Sequence, residues 1–322
     1  MTQVLIQNKE LRLDNHSKGL DQMKHLLAIT GASGFMGNYI SKQLPYKQKC
    51  LTRQNGLPSH ENCEWINGNI SNSTDIHNLL QQTSTLIHLA CTSHPRSTES
   101  TMALDIQHNL IPSIQLFEAF AKLSPGGHII FSSSGGNMYD DTPDNILRRE
   151  SDPPRPRSPY AAHKLATENF LRLCCEKYGI KGSILRISNP YGILLSKERT
   201  QGLIGVALSK LSANEPLEIF DSLETTRDYI HLDDIVKAFE LVIQHPPKAG
   251  TCEVFNVSSG KGHTINEVLK AIEEMTQKSI IKKVSLPLPP PSWSVLSSLK
   301  LEQMLGWKPQ ISLIEGLKRI EF

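Results

Sequence analysis

The chain has 322 residues, 39% of them apolar and 20% charged, a balance that excludes a disordered chain, a collagen-like repeat and a small disulfide scaffold. At about 150 residues per domain, that length gives two domains as the first expectation. Its 34 Lys and Arg against 32 Asp and Glu leave a net charge of +2 with no long basic run, which excludes nucleic-acid binding by bulk charge.

Residues 1–24 are polar and read as an extension outside the core. From His25 to Thr30 the chain turns apolar for a few residues before a glycine, as a strand buried on both faces does. Gly31, Gly34 and Gly37 follow at a spacing of three and lead into a helix-like stretch, Asn38 to Leu44, stopped by Pro45. Short apolar runs recur at Lys49 to Thr52, Thr85 to Ala90 and His128 to Ser132. Between them lie helical patterns at Asp75 to Gln82 and at Ile106 to Lys122, where Ile106, Leu110, Ile114, Phe117 and Phe120 form one stripe. A fifth unit pairs a helix over Tyr160 to Tyr178 with a strand over Gly182 to Ile187. Strands alternating with helices predict an α/β fold with a doubly wound parallel sheet. Beyond Asn189 the alternation loosens into loops, a helix over Gly202 to Leu211 and a Pro-rich stretch at Leu286 to Pro291, which predicts a smaller mixed domain.

No apolar run approaches the roughly 18 residues that span a bilayer. Asn8 to Lys24 lacks the charged-then-apolar order of a signal peptide. The six cysteines show no paired metal spacing and read as free thiols in a reducing cytoplasm, with Cys174 and Cys175 in the core. The histidines show no metal spacing either, and no metal site is expected.

A strand, three spaced glycines and a helix form a seat for a pyrophosphate. Gly31 permits the tight turn, Gly34 lets backbone N–H groups approach the phosphates, and Gly37 brings the helix close to the sheet. The end of the second strand discriminates NAD from NADP, by an acid for the ribose or an arginine for a 2′-phosphate. Here it reads Leu51-Thr52-Arg53, with no acid, so both cofactors stay open. Ser158-Pro-Tyr160-Ala-Ala-His-Lys164 opens a helix, and residues four apart share one face. The Lys164 ammonium, with the positive charge of an oxidised nicotinamide, is expected to lower the pKa of Tyr160 and make it a base.

Together the glycine turn and the Tyr-x-x-x-Lys pair resemble the extended short-chain dehydrogenase/reductase family, in its nucleotide-sugar epimerase/dehydratase branch. The resemblance runs from about His25 to Leu317. It is carried by Thr30 to Gly37, His88 to Cys91, Asn109, Phe131 to Ser134 with Tyr139, Ser158 to Glu168, Leu185 to Gly192, Arg227 to Asp234 and Leu305-Gly-Trp-Lys-Pro309. It implies a Rossmann domain over 25–188, rejoined by a segment near 229–257, and a substrate domain over 189–322. It also implies 4-epimerisation of a UDP-hexose or UDP-N-acetylhexosamine with bound NAD, in a homodimer built on the helices at Ile106–Lys122 and Tyr160–Tyr178. Surface-polysaccharide precursor synthesis is the biological setting it suggests.

Residue by residue, the resemblance implies Tyr160 as base and Lys164 as its partner and holder of the nicotinamide ribose. The cofactor would lie along Gly31, Ser33, Gly34, Phe35, Met36 and Gly37, then Arg53, Asn69, Ile70, Leu89, Ala90, Cys91 and Asn109. Asn189 and Arg227 would hold the sugar-nucleotide diphosphate, with Phe220 near the base. Three departures stand out. The usual place of the catalytic hydroxyl is Gly135, leaving Ser134, or else Ser133, to supply it. The adenine-facing aspartate is Asn69. A second diphosphate arginine is missing, its place taken by Pro287, with Lys282 or Lys283 as substitutes nearby. Readings from other classes are an NADPH-dependent 4-keto-sugar reductase and a non-catalytic nucleotide-binding regulator. The side chains that choose the sugar and nucleotide are expected around Ser93 to Thr101 and Leu194 to Gln201.

Overall fold

The computed structural model describes residues 26–55, 57, 60–94, 102–140, 146–195 and 202–322. The polar extension over 1–24 lies outside these, as do 95–101 and 196–201 of the two loops expected to set specificity.

Seven parallel strands form the main sheet. In chain order these are β1 (Leu27–Thr30), β2 (Gln48–Thr52), β3 (Cys63–Asn67), β4 (Thr85–His88), β5 (His128–Ser134), β6 (Lys181–Ile187) and, much later, β10 (Cys252–Val257). Their order across the sheet is β3-β2-β1-β4-β5-β6-β10. The sheet is covered on both faces, and its central strands β1, β4 and β5 are buried at every position. Leu27, Ile29, Ile87 and Ile130 pack on one side with Ile40 of α1 (Phe35–Gln43) and with Ile235 and Phe239, while Ala28, Leu86 and Ile129 pack on the other with Leu79 of α2 (Ser73–Leu80) and with Phe117, Phe120 and Leu171.

Two local features depart from the expectation. β3 was not anticipated, because Cys63-Glu-Trp-Ile-Asn67 at the sheet edge alternates in polarity instead of forming a buried apolar run. The helix expected over Ile106 to Lys122 is composite: α3 (Met102–Asp105), a π-helical turn (Ile106–Leu110) and α4 (Ile111–Leu123). The wider turn rotates the stripe. Ile106 is therefore 45% exposed, whereas Asn109, Ser113, Leu116, Phe117 and Phe120 face inward.

The helix α5 (Pro159–Tyr178) starts where Ser158 accepts from the Ala161 N–H and Pro159 occupies the first turn, and it ends at left-handed Gly179. The later residues build a smaller region. Its four-stranded sheet places β9 (Thr226–His231) between β11 (Gly262–Thr264) and β13 (Trp293–Ser294), with β7 (Asn189–Tyr191) also on β9. Its own core joins α6 (Leu203–Ala213) to α8 (Ile265–Thr276) through Ile204, Leu208, Leu269 and Ile272. Between α6 and α8, α7 (Leu232–Gln244) returns to the main sheet through Ile235, Phe239 and Val242.

Two of the motifs behind the resemblance turn out to hold the regions together. Asp228 is buried and accepts from Ser188 Oγ (3.0 Å), the Ser259 N–H (2.9 Å) and the Gly260 N–H (3.1 Å). The Asp234 carboxylate accepts from the Gln310 and Ile311 N–H groups, and its carbonyl accepts from the buried Trp307 indole (3.1 Å).

His88 and His128 are buried in the main sheet, and burial is the chief cause that holds each down to about 3. Unfolded, each takes a proton near its ordinary value of 6.5. The folded value lies below the unfolded one, so this contribution is complete above about pH 6.5 and is lost as pH falls towards 3. Urea denaturation of the parent chain and of His128→Gln at about pH 6 and 5 is expected to show the parent losing on the order of 1 kcal/mol more than the variant. Equal losses would remove His128 from the acid response.

Candidate active site

A single cleft of about 1480 Å³ runs from the C-terminal edge of the main sheet into the smaller region. Every residue implied above for cofactor, chemistry or substrate lines it, apart from the two substitute lysines at 282 and 283. It opens between β1 and β4, where the strand order reverses, the usual place for a ligand in a doubly wound sheet.

At its first end, β1 runs out at Thr30 and the chain turns through Gly31, whose φ of +74° lies in the left-handed region. A Cβ there would lie 2.6 Å from the Ala90 nitrogen, and one at Gly37 would lie 2.1 Å from the Gly31 carbonyl oxygen. Only glycine lets the turn, the helix and the β4 loop approach so closely. Gly34 caps α1 with no side-chain hydrogen bond and no acid in the first turn. The first N–H groups of α1 therefore have no intrahelical acceptor, and Ser33, Gly34, Phe35 and Met36 line the cleft beside them. This arrangement fits a pyrophosphate, and Ser33 to Met36 are the residues that would hold that of NAD.

Next along the cleft lie Thr52, exposed Arg53, Asn69 and Ile70. Asn69 Oδ1 accepts from the Ser71 N–H (3.0 Å) in a local turn. Among the described lining residues the only acids are Glu215, Glu218 and Asp221, all on the smaller region. Leu89, Ala90 and Cys91 continue β4 beneath the cleft. Asn109, on the π-helical turn, accepts from the Thr92 N–H (2.8 Å) and donates to Asp105 (3.0 Å).

The centre is formed by the end of β5 and the first turns of α5. Lys164 is buried, donates to the Ser132 carbonyl (2.9 Å) and holds its ammonium 5.8 Å from the Tyr160 ring centre. The Ser134 hydroxyl faces the Tyr160 oxygen closely enough to lower its pKa. Ser133, the alternative carrier of the hydroxyl, points elsewhere and donates to Glu168 Oε1 at 2.6 Å. The glycine at 135 has a packing reason. A Cβ there would meet Leu296 Cδ1 at 2.3 Å, so the strand brings its hydroxyl in one residue earlier. The expected pKa direction is corrected. In the protein alone, burial and then the Cys91 thiol push the Tyr160 phenol above its ordinary value, and the Ser134 hydrogen bond only partly opposes them. Burial also pushes Lys164 down.

At the far end, Asn189 donates to the Asp228 carbonyl (2.7 Å) and Arg227 is held by the Thr226 carbonyl (2.9 Å) and Ser292 Oγ (2.7 Å). Phe220 is 50% exposed on the cleft wall. Lys282 and Lys283 do not take the place of a second arginine. They pair with Glu273 (3.6 Å) and Glu218 (3.0 Å), and neither lines the cleft. Lys210 on α6, paired with Glu215 (2.6 Å), does line it, a position that only the packing of α6 reveals.

Residues 27–258 match the model of the NAD dependent epimerase/dehydratase family. The chain belongs to that family. It is an enzyme family, and this member is 29% identical to the dTDP-4-dehydro-6-deoxyglucose reductase of Escherichia coli, across 94% of this chain and 98% of the relative. Among solved structures, the UDP-glucose 4-epimerase of Thermotoga maritima with UDP-glucose superposes with a TM-score of 0.81 at 28% identity, covering 92% of this chain and 96% of the other. The Thermus thermophilus UDP-glucose 4-epimerase in complex with NAD gives 0.80 at 26% identity, covering 91% and 96%. Among the described residues no helix of this family member is long and apolar enough to cross a membrane, and no cluster of side chains is able to hold a metal ion.

Proposed function

We propose that the chain is an NAD-dependent 4-epimerase of a UDP-hexose or UDP-N-acetylhexosamine. The observation that carries this reading is the Ser134–Tyr160–Lys164 cluster, set midway along one cleft between a pyrophosphate seat and Arg227. The bound UDP-glucose of the Thermotoga enzyme and the bound NAD of the Thermus enzyme support it.

Bound NAD would supply a reversible acceptor for the hydride of sugar C4. Lys164 holds the ribose and favours the phenolate. Tyr160 takes the proton of the sugar 4-hydroxyl while Ser134 holds the same oxygen. Asn189 and Arg227 grip the diphosphate, so the hexose is free to turn over as its 4-keto form. Tyr160 then returns the proton, and C4 is reduced with the opposite configuration.

Arg227→Ala is expected to raise KM for UDP-glucose roughly ten- to hundredfold, the worth of a charge-assisted contact. Arg227→Lys is expected to recover part of that loss, because an ammonium keeps the charge without the fork. An unchanged KM in Arg227→Ala would remove Arg227 from the substrate. A homodimer belongs to the same proposal: Ile111 on α4 and Phe170 and Leu173 on α5 are exposed apolar side chains on adjacent helices.

One observation favours a second reading, a 4-keto-sugar reductase using NADPH. The adenosine end of the cleft carries Arg53 and no acid, and the Escherichia coli relative is a reductase. Denaturing the purified protein and identifying the released nucleotide by mass spectrometry separates the two. Tightly held NAD, with UDP-galactose and UDP-glucose interconverting without added cofactor, is the expected result. Released NADP, or NADPH consumed with a 4-keto sugar, makes it a reductase. Binding of neither cofactor overturns both readings in favour of a non-catalytic regulator.

A further inference from the structure

Cys91 leaves β4 with its thiol on the cleft wall and three other groups arranged behind it. Its Sγ lies 3.6 Å from His163 Nε2, and His163 Nδ1 lies 3.1 Å from Asp105 Oδ2. The His163 and Asp105 side chains are each only 3% exposed. Ionised Asp105 accepts hydrogen bonds and donates none, so the ring hydrogen sits on Nδ1 and the Nε2 lone pair faces the thiol. Asp105 is held in turn by Asn109 Nδ2 (3.0 Å). Nucleophile, base and orienting carboxylate thus lie in line, and the hydride chemistry proposed above uses none of them as reacting groups.

The groups that face Cys91 are Lys164, Tyr160 and His163 from α5 and, behind His163, Asp105 from α3. Burial opposes ionisation of the thiol, which also lies 3.3 Å from the Ser93 carbonyl oxygen, but the Lys164 ammonium, the His163 contact and a backbone hydrogen bond of Ser93 together outweigh it and bring Cys91 down to about 7. Burial pushes Cys174 up to about 11, whereas half-buried Cys63 on β3 is lowered by a contact with Cys50. Cys63 is the natural comparison.

We propose that Cys91 is a covalent modification site, a nucleophile activated by His163 and Asp105 that takes small soft electrophiles entering the cleft, and that its adduct and the dinucleotide exclude one another. The exclusion rests on the cleft being the cofactor site; the nucleophilicity does not. His163 Nε2 takes the thiol proton, and Sγ gives its electron pair to the electrophilic carbon. The S–C bond forms as the carbon's bond to the leaving group breaks, and that group departs with the pair. With iodoacetamide the leaving group is iodide, and the step consumes no oxidant or reductant.

The test strips the full chain of bound nucleotide, treats it with limiting iodoacetamide between about pH 5.5 and 9.5 and follows all six cysteines by peptide mass spectrometry. Cys91 is expected to label first, ahead of Cys63, with its rate half-maximal near pH 7, where an ordinary thiol needs about 8.5. His163→Gln and Asp105→Asn are each expected to slow labelling at neutral pH about tenfold by moving that midpoint up. An ordinary thiol midpoint for Cys91 in the unaltered chain overturns the proposal, whatever the variants do. NAD, with its binding measured separately by equilibrium dialysis, is expected to protect Cys91. Bound NAD that gives no protection overturns the exclusion. Rapid labelling in a chain that binds no NAD upholds the nucleophile and makes the cofactor reading the one that fails.

Discussion

Replacing Tyr160 with phenylalanine is expected to lower turnover of UDP-glucose by about a thousandfold while leaving the bound cofactor in place. The size follows from what is lost. A positioned acid/base group contributes about 10²–10⁴-fold, and Tyr160 lies beside both the Ser134 hydroxyl and the Lys164 ammonium. The substitution removes one oxygen and keeps the ring, whose edge-on contact with His163 at 5.5 Å between ring centres is retained. The pyrophosphate seat at Gly31 to Gly37 lies on other elements and is untouched. The pH dependence adds a check. Burial raises the Tyr160 phenol in the protein alone, so the base form is scarce until a positive ring lies beside it. The rate is therefore expected to climb as pH rises, and the climb is expected to vanish in Tyr160→Phe. Turnover measured by product chromatography, with cofactor content by mass spectrometry on the same sample, reads both. Equal turnover in the variant would remove Tyr160 from the chemistry.

The largest expected loss of stability comes from a residue that never meets the substrate. Arg186 is 2% exposed and reaches Glu168 with two hydrogen bonds, Nε to Oε1 at 3.0 Å and Nη2 to Oε2 at 2.7 Å. Its remaining arm donates to the Tyr139 hydroxyl (2.7 Å), which donates to Asn256 (3.0 Å), and Ser133 completes Glu168. One buried network thus ties β5, α5, β6 and β10. Arg186→Met removes the cation that hydrogen-bonds the fully buried Glu168 carboxylate, leaving it the half-exposed Arg172 at 3.9 Å, and is expected to cost about 3–5 kcal/mol in urea denaturation. The double variant Glu168→Leu/Arg186→Met removes both charges and is expected to regain most of that loss, since a buried pair gains little over apolar residues of the same shape. A loss under about 1 kcal/mol in the single variant would show that water reaches Glu168.

Which parts of this were legible follows from how local each signal is. The glycine turn and the Tyr160–Lys164 pair depend on neighbours within a helical turn, and both were readable from spacing. The burial of the central strands shows as unbroken apolar runs, whereas β3 alternates at the edge and was missed. The choice between Ser133 and Ser134 was not readable, because it is made by Leu296, which fills the space at Gly135, and by Glu168, which captures Ser133. The π-helical turn that exposes Ile106 and buries Asn109 leaves no mark in the apolar stripe. Cys91, His163 and Asp105 come together only when α3 packs on α5. Lys210 reaches the cleft only because α6 does.

The last strand of the main sheet carries a consequence for how the chain is made. Translation completes β6 at Ile187, but its sheet partner ends at Val257, seventy residues later. At about 5–20 residues per second, the edge of β6 stays unpaired for roughly 4–14 s on each ribosome. That edge is a row of open backbone donors and acceptors over Gly182 to Ile187, four of its six residues apolar or glycine, and it is open to pairing with another strand. On a crowded polysome the nearest strand is the same segment of the neighbouring nascent chain. The interval between β6 and β10 is thus the window in which that edge is open to another chain, and slower translation across 188–251 lengthens it.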